Sequence, residues 1–241
     1  MMPDEITVQV VWGPRAETAG GVAARWRDTR LALAELSPLL AGWYVHDGES
    51  DVRIGDGTAE ETLVADAARD DGYGYRLTAY AGAAAATPIH YTATAGLARP
   101  EAGLLNGVTV AIAPARTEDA RSWDPLLAPM LAALAAVWQP DWGQAGTRRQ
   151  RVPQRGGPRT PWAGRVTYLS PLRASVLPAG GPTDGGPVLP TGFAAGAPTA
   201  DGGLVLTAAS TPDAVALGAL LRDAGAFAPV PEDRDRWSPP A

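Results

Sequence analysis

Residues 75–114 place the tightest constraint on the fold. Three strand-forming runs, 75–82, 87–96 and 107–113, follow one another with connections of four and ten residues. Tight turns join antiparallel strands, whereas parallel strands need a crossover of about a dozen residues or more. The three runs therefore read as an antiparallel meander. In the last, Val108, Val110 and Ile112 share one face, and Asn106-Gly107 supplies turn chemistry just before it.

Other elements flank this meander. Residues 6–12 alternate and are β-branched, predicting a first strand ended by Gly13-Pro14. Val22, Trp26, Thr29, Leu33, Leu36 and Leu40 recur at steps of three and four, the stripe of an amphipathic helix. Ser37-Pro38 ends it, because a residue before proline avoids the α region. Leu39 to Tyr44 read as a short turn, and 45–57 as a polar loop around a Val52–Ile54 strand. Thr58-Ala59-Glu60-Glu61 matches a capping box, opening a helix that Asp70-Asp71-Gly72 closes.

Asp124-Pro125 offers a capping acceptor and then proline at the first helical position. Leu127, Met130, Leu131, Leu134 and Trp138 give that helix its buried stripe, and Pro140 ends it. Residues 143–163 read as an arginine-rich loop and 164–170 as a strand. Residues 171–202, dense in Pro, Gly and Ala, read as a surface excursion. A strand at 203–209 and a helix at 212–224 follow, the helix opened by Thr211-Pro212-Asp213 and closed by Gly225. Residues 228–241 read as a loose tail. Strand runs separated both by helices and by short turns predict an α+β fold rather than a βαβ array. The expectation is a single domain over 1–227. Its mainly antiparallel sheet is covered by helices at 19–36, 58–70, 124–138 and 212–224.

Composition narrows the chemistry. The 241 residues include no cysteine and no lysine, and only two histidines, His46 and His90. Thiolate metal sites, thiol nucleophiles, Schiff-base and phosphate-loop lysines and three-histidine metal centres are therefore ruled out. No Gly-x-Ser-x-Gly elbow is present. We assign no catalytic residue, no cofactor and no metal. The formal charge of −6 argues against non-specific binding to nucleic acid or anionic membrane. Met1 to Glu5 lack the basic and apolar regions of a secretory signal, and no apolar stretch approaches bilayer length. A cytoplasmic protein is expected.

His46 reads as part of a solvated loop, with no second histidine at ligand spacing, and His90 as a strand-face residue. Glu60, Glu61, Asp66, Asp70 and Asp71 could serve a carboxylate-based hydrolase, but they surround one helix expected to be exposed. The eight tryptophans read mainly as core, with room for one or two interface anchors. Charge is uneven. Residues 47–71 carry nine acids against Arg53 and Arg69, a net of −7, so the rest of the chain is near neutral. Residues 148–159 carry five arginines and no acid. The acidic stretch is the candidate partner-binding surface, through Asp47, Glu49, Asp51, Asp56, Glu60 and Glu61.

Three pieces in order carry a family resemblance. They are Trp26-Arg27-Asp28-Thr29-Arg30 with Leu33, Leu36, Pro38, Leu39 and Trp43; Trp138-Gln139-Pro140-Asp141-Trp142-Gly143; and Trp162-Ala163-Gly164-Arg165-Val166-Thr167-Tyr168-Leu169-Ser170. Over about residues 5–210 the chain resembles the immunity protein 52 family of bacterial polymorphic toxin systems. It departs from the family at Gly164–Ser170, where a tryptophan is often present, and at 171–202. The resemblance implies a small cytoplasmic α+β protein that neutralises a cognate toxin, typically a nuclease of restriction-endonuclease fold. It also implies that Trp26, Pro38, Trp43, Trp138, Pro140, Trp142, Tyr168 and Leu169 are structural. A nuclease has a basic cleft that an acidic protein can occlude. The competing classes are a carboxylate-based hydrolase and an adaptor or chaperone for a secreted effector.

Overall fold

The computed structural model describes residues 4–46, 49–55, 60–69, 74–81, 88–98, 105–114, 120–154, 160–178, 190, 192–196 and 198–229. Among these, ten strands form one sheet: β1 (Ile6–Trp12), β2 (Trp43–His46), β3 (Asp51–Ile54), β4 (Tyr75–Ala81), β5 (Ile89–Ala95), β6 (Asn106–Ile112), β7 (Trp142–Thr147), β8 (Val166–Leu169), β9 (Phe193–Ala195) and β10 (Leu204–Ala208). Their order is β3-β2-β4-β5-β6-β1-β7-β8-β10-β9, and every pairing is antiparallel. The fold is α+β, as the meander predicts. The helices are α1 (Ala19–Leu36), α2 (Glu60–Asp66), α3 (Asp124–Trp138), α4 (Arg148–Arg151), α5 (Pro171–Ala174) and α6 (Thr211–Asp223).

Local chemistry sets the helix ends. The Thr18 hydroxyl accepts from Gly21 N–H to cap α1, and Ser37, extended at φ −161°, ends it before Pro38. The Ser210 hydroxyl accepts from Asp213 N–H to cap α6, and Gly225 at φ +80° follows it. One expectation fails. Asp124 does not cap α3; the cap position is Trp123, without a side-chain acceptor, and Asp124 pairs with Arg165 at 2.9 Å. Residues 58–59 and 70–72 of the expected second helix lie outside the described residues.

Register divides the side chains between two faces. Ile6, Val8, Val10, Tyr91, Val108, Val110, Tyr168 and Val205 point to one face, where Trp26 and Leu33 of α1 and Leu127, Leu131 and Trp138 of α3 complete the main core. Leu169, Leu204 and Leu206 point to the opposite face, where Leu217 and Leu221 of α6, with Leu177 and Phe227, form a second core. Elsewhere that second face carries Thr78, Thr92, Thr109 and Gln9, paired in one row across β4, β5, β6 and β1. An antiparallel sheet tolerates one solvated face.

Four stretches differ from their sequence reading. The expected turn at 39–44 and loop at 45–57 contain β2, which pairs with β3 and β4. The expected loop at 143–163 begins with β7, near the middle of the sheet, and continues into α4. Gly143 explains the disguise: a Cβ there would sit 2.9 Å from Leu131 Cδ1, Val10 Cγ1 and Gln9 O, so glycine admits α3 against the strand. Asn106 is not a turn residue. It is buried in β6, donates to Gly13 O and Leu97 O, and accepts from Leu97 N. Within the expected excursion at 171–202, α5 places Arg173 and Leu177 in the interior, and β9 edges the sheet.

Candidate partner-binding surface

The acidic stretch begins at the β3 edge of the sheet. Glu49 and Asp51 are exposed there, and Asp51 opens β3 rather than lying in a free loop. Its Oδ1 lies 3.1 Å from His46 Nδ1 across the hairpin. The Asp51 carboxylate beside it pushes the Tyr80 phenol up to about 12. Tyr80 in turn stacks on Tyr44 at 5.8 Å between centroids. His46 is thus part of an ordered corner, while His90 lies exposed on the open sheet face.

Glu60 contradicts its assignment to an exposed helix. Its side chain is 3% exposed. Arg27 Nε donates to its Oε2 at 2.7 Å, and Arg30 pairs with its Oε1. Both arginines lie on α1, and Arg30 also sits 5.7 Å over the Trp26 ring. Glu60 therefore clasps α2 to α1 and cannot meet a partner. Glu61 is exposed, with its carboxylate beside Gly20 in the first turn of α1. That turn holds no acid of its own, so Glu61 complements the helix dipole. Asp47, Asp56, Asp70 and Asp71 lie outside the described residues; Asp66 is exposed. Among the described residues no three His, Cys, Asp or Glu side chains gather as a metal site. No helix among them is long and apolar enough to cross a membrane.

The aromatic residues of the three motifs lie inside. Trp12 stacks on Trp138 at 5.3 Å, Trp26 on Tyr91 at 6.5 Å, and Trp43 meets Tyr91 edge-on at 5.9 Å. Thr29 links the groups: its hydroxyl accepts from Trp138 Nε1 at 2.8 Å and donates to Arg25 O. Arg25 donates to Val137 O and Arg15 to Trp138 O, so two cations cover the carbonyl end of α3. All seven tryptophans among the described residues are buried, which leaves no tryptophan anchor on that surface; Trp237 lies outside them.

The other motif positions shape turns and joints. Pro38 opens a 3₁₀ turn after α1, and Pro140 follows Gln139, which turns through φ 47° at the end of α3. Trp142 packs with Val11 and Trp162. Leu169 belongs to the second core, while Tyr168 donates to Asp201 Oδ2 at 2.5 Å. Burial works to raise the Asp201 carboxyl, but hydrogen bonds from Thr199, Tyr168 and Gly203 N–H outweigh it and hold the group below its usual value.

Sequence reasoning missed Arg173. Its guanidinium donates to Ala226 O at 2.5 Å and Ala228 O at 3.0 Å, tying α5 to the chain after α6. Burial pulls it down to about 10, and the buried Asp141 opposes that shift. Ser170-Pro171, a capping hydroxyl followed by proline, was the available signal for the short helix that carries it.

Basic groups gather elsewhere. Arg148, Arg149 and Arg151 are exposed on α4, which packs against α6, and Arg149 pairs with Asp4. A cleft of about 180 Å³ at the start of β1 is lined by Arg121, Asp124, Gln150 and Arg165. It falls below the size of an ordinary ligand pocket.

A family match agrees with the motif order. The family described as immunity protein 52 matches residues 6–193, from β1 to the first residue of β9. The solved structure of the Pseudomonas aeruginosa T6SS protein PA0821 is similar at 13% identity and a TM-score of 0.49, over 98% of this chain and 77% of that one. No curated protein matches. The family match spans most of the sheet, nearly all of the main core and all three motifs, and the chain belongs to the immunity protein 52 family.

Proposed function

We propose that this chain is an antitoxin-type immunity protein that binds a cognate toxin, a nuclease of restriction-endonuclease fold, and occludes its active site in the cytoplasm. The family match over residues 6–193 carries the immunity role. The nuclease target rests on the family resemblance and on charge. The net −7 between residues 47 and 71 suits the basic cleft that a nuclease needs for phosphates. Glu49, Asp51 and Glu61, all exposed, are the described members of that contact surface, and Asp47 and Asp56 extend it in sequence. Glu60 supports the surface from within. Such an inhibitor works by steric and electrostatic exclusion and needs no catalytic group.

Co-expression with its cognate toxin should rescue growth from that toxin. Reversing Glu49 and Asp51 to arginine should slow association at low salt at least tenfold while leaving the melting temperature unchanged, since the field reaches about one Debye length, ~8 Å at physiological salt. Full rescue with unaltered association kinetics would move the surface elsewhere. Purified toxin that degrades no nucleic acid, yet is bound, would remove the nuclease assignment and keep the immunity role.

A further inference from the structure

The helices leave one broad surface of the sheet open. α1 and α3 pack on the main-core face, and α6 covers β8 and β10 on the other. Over β4, β5 and β6 that second face meets no helix among the described residues. Strands β1 to β6 contain one acid, Asp51, and two arginines, Arg53 and Arg76. Ile54, Leu77, Ala79, Ile89 and Tyr91 belong to the main core, so Arg53, Arg76, Thr78, Tyr80 and His90 alternate onto the open face.

The charge of this face is local and cationic. Arg53, Arg76 and His90 are exposed, and neither arginine side chain makes a hydrogen bond or an ion pair among the described residues. Asp51 is already engaged by His46 and lies beside Tyr80. What remains unpaired is therefore positive, although the whole chain carries −6.

Register lines up the polar groups. Arg53 pairs with Tyr44 across β3 and β2, Tyr44 with Tyr80, and Tyr80 with His90. Neighbouring strands lie about 4.8 Å apart, so the row is about 14 Å long. Tyr44 and Tyr80 stack on each other, with 5.8 Å between centroids and 20° between planes. Each ring thus covers a face of the other. Single-stranded nucleic acid asks for free ring faces and a cationic track along the backbone. Protein interfaces instead favour tyrosine and arginine and are depleted in lysine and glutamate. A second copy laid on this face would set arginine against arginine.

We propose that the open face of β3, β2, β4 and β5 docks a carboxylate-bearing surface of the cognate toxin, held by Arg53, Arg76 and His90 around the Tyr44–Tyr80 stack. The inference rests on the immunity reading above and adds a contact area to it. A nuclease that works through divalent ions holds them with carboxylates inside its basic cleft, so one partner suits both areas.

The test uses the full-length chain and its cognate toxin, inactivated by substitution. At saturation the methyl resonances of Thr78 and Thr92 should shift, while those of Leu217 and Leu221 in the second core stay in place. Arg76→Glu and His90→Glu, both at exposed positions, should keep the melting temperature. Each should bind toxin at least tenfold more weakly, and Arg76→Gln should lose less than Arg76→Glu. If a variant does lose melting temperature, the methyl shifts decide alone. Unmoved threonine methyls in a saturated complex overturn the proposal, as does unchanged or tighter binding by both reversals. If the Glu49 and Asp51 reversals still slow association in that case, the acidic surface stands and only this face falls. Toxin that does not bind the unaltered chain removes both readings. Threonine methyl shifts produced by a single-stranded oligonucleotide in place of toxin would assign the face to nucleic acid. The same shifts on raising protein concentration, with a doubled mass by light scattering, would assign it to a second copy. Either result would overturn the proposal.

Discussion

Strands β4, β5 and β6 share a sheet with β7, β8 and β10, yet the two groups sit in different surroundings. The first group has the main core on one face and solvent on the other, and β6 alternates strictly between buried and half-buried residues. The second is covered on both faces, β8 and β10 between the main core and the second core and β7 with Trp142 packed on Val11 and Trp162, and all four residues of β8 are buried. The difference teaches where a strand leaves its mark in sequence. One-sided burial demands apolar residues at every second position. Two-sided burial removes that demand and asks only for volumes that fit. Trp-Gly-Gln-Ala-Gly-Thr in β7 therefore resembles a loop, although it lies near the middle of the sheet.

The core common to both groups is the place to test first, because it should not distinguish them. Trp26 lies over β5 and Trp138 over β1, and each is fully buried. Alanine at either should cost about 3–5 kcal/mol in denaturant unfolding. A marked inequality would show that the main core is weaker over one of these two strands. Arg173 tests the closed group alone. Arg173→Met keeps the stem but leaves Asp141 buried without its cation, and should cost about 3 kcal/mol. A neutral result would mean that the second core holds without this tie.

Gly143→Ala probes the close approach of α3. Its Cβ would meet three atoms at 2.9 Å, and the expected loss is about 1–3 kcal/mol. An unchanged melting temperature would show that α3 can retreat without cost.

A smaller effect is expected at low pH. The Asp201 carboxyl is held below its usual value in the folded chain. Its contribution is therefore complete above the unfolded value, about 3.9, and is lost as pH falls through the lower folded value. Asp201→Asn should flatten the acid limb of a melting-temperature profile below about pH 5 and change little at pH 7. An identical acid limb would remove Asp201 from the account. The smallest effect belongs to the open face. Thr92→Val, in the middle of the polar, half-buried row, should shift stability by no more than about 0.5 kcal/mol. A larger loss would mean that this face is covered.

The candidate site was legible only in part. Its acidity is a property of composition, and Glu49 and Asp51 are exposed as the polar stretch suggests. Glu60 and Glu61 are adjacent in sequence, and nothing local separates them. Only the approach of α1 buries one between Arg27 and Arg30 and leaves the other over the helix end. Arg173 was hidden for the same reason, since a Pro-rich, Gly-rich stretch signals irregular backbone but says nothing of what covers it.

The sequence by itself determined the helices α1, α3 and α6 to within a residue at each end, because prolines, glycines and three-four spacing act within a few residues. It determined the antiparallel meander through short connections and period-two alternation, and the aromatic motifs through residue identity. Tertiary structure alone decided that β7 would join the sheet, that Asn106 would bridge Gly13 and Leu97 rather than turn the chain, and that Glu60 would be an internal clasp. Each of those outcomes depends on a group far away in sequence. The physical reason is that burial and hydrogen-bond satisfaction are properties of the assembled layers, whereas capping and periodicity are properties of the local chain.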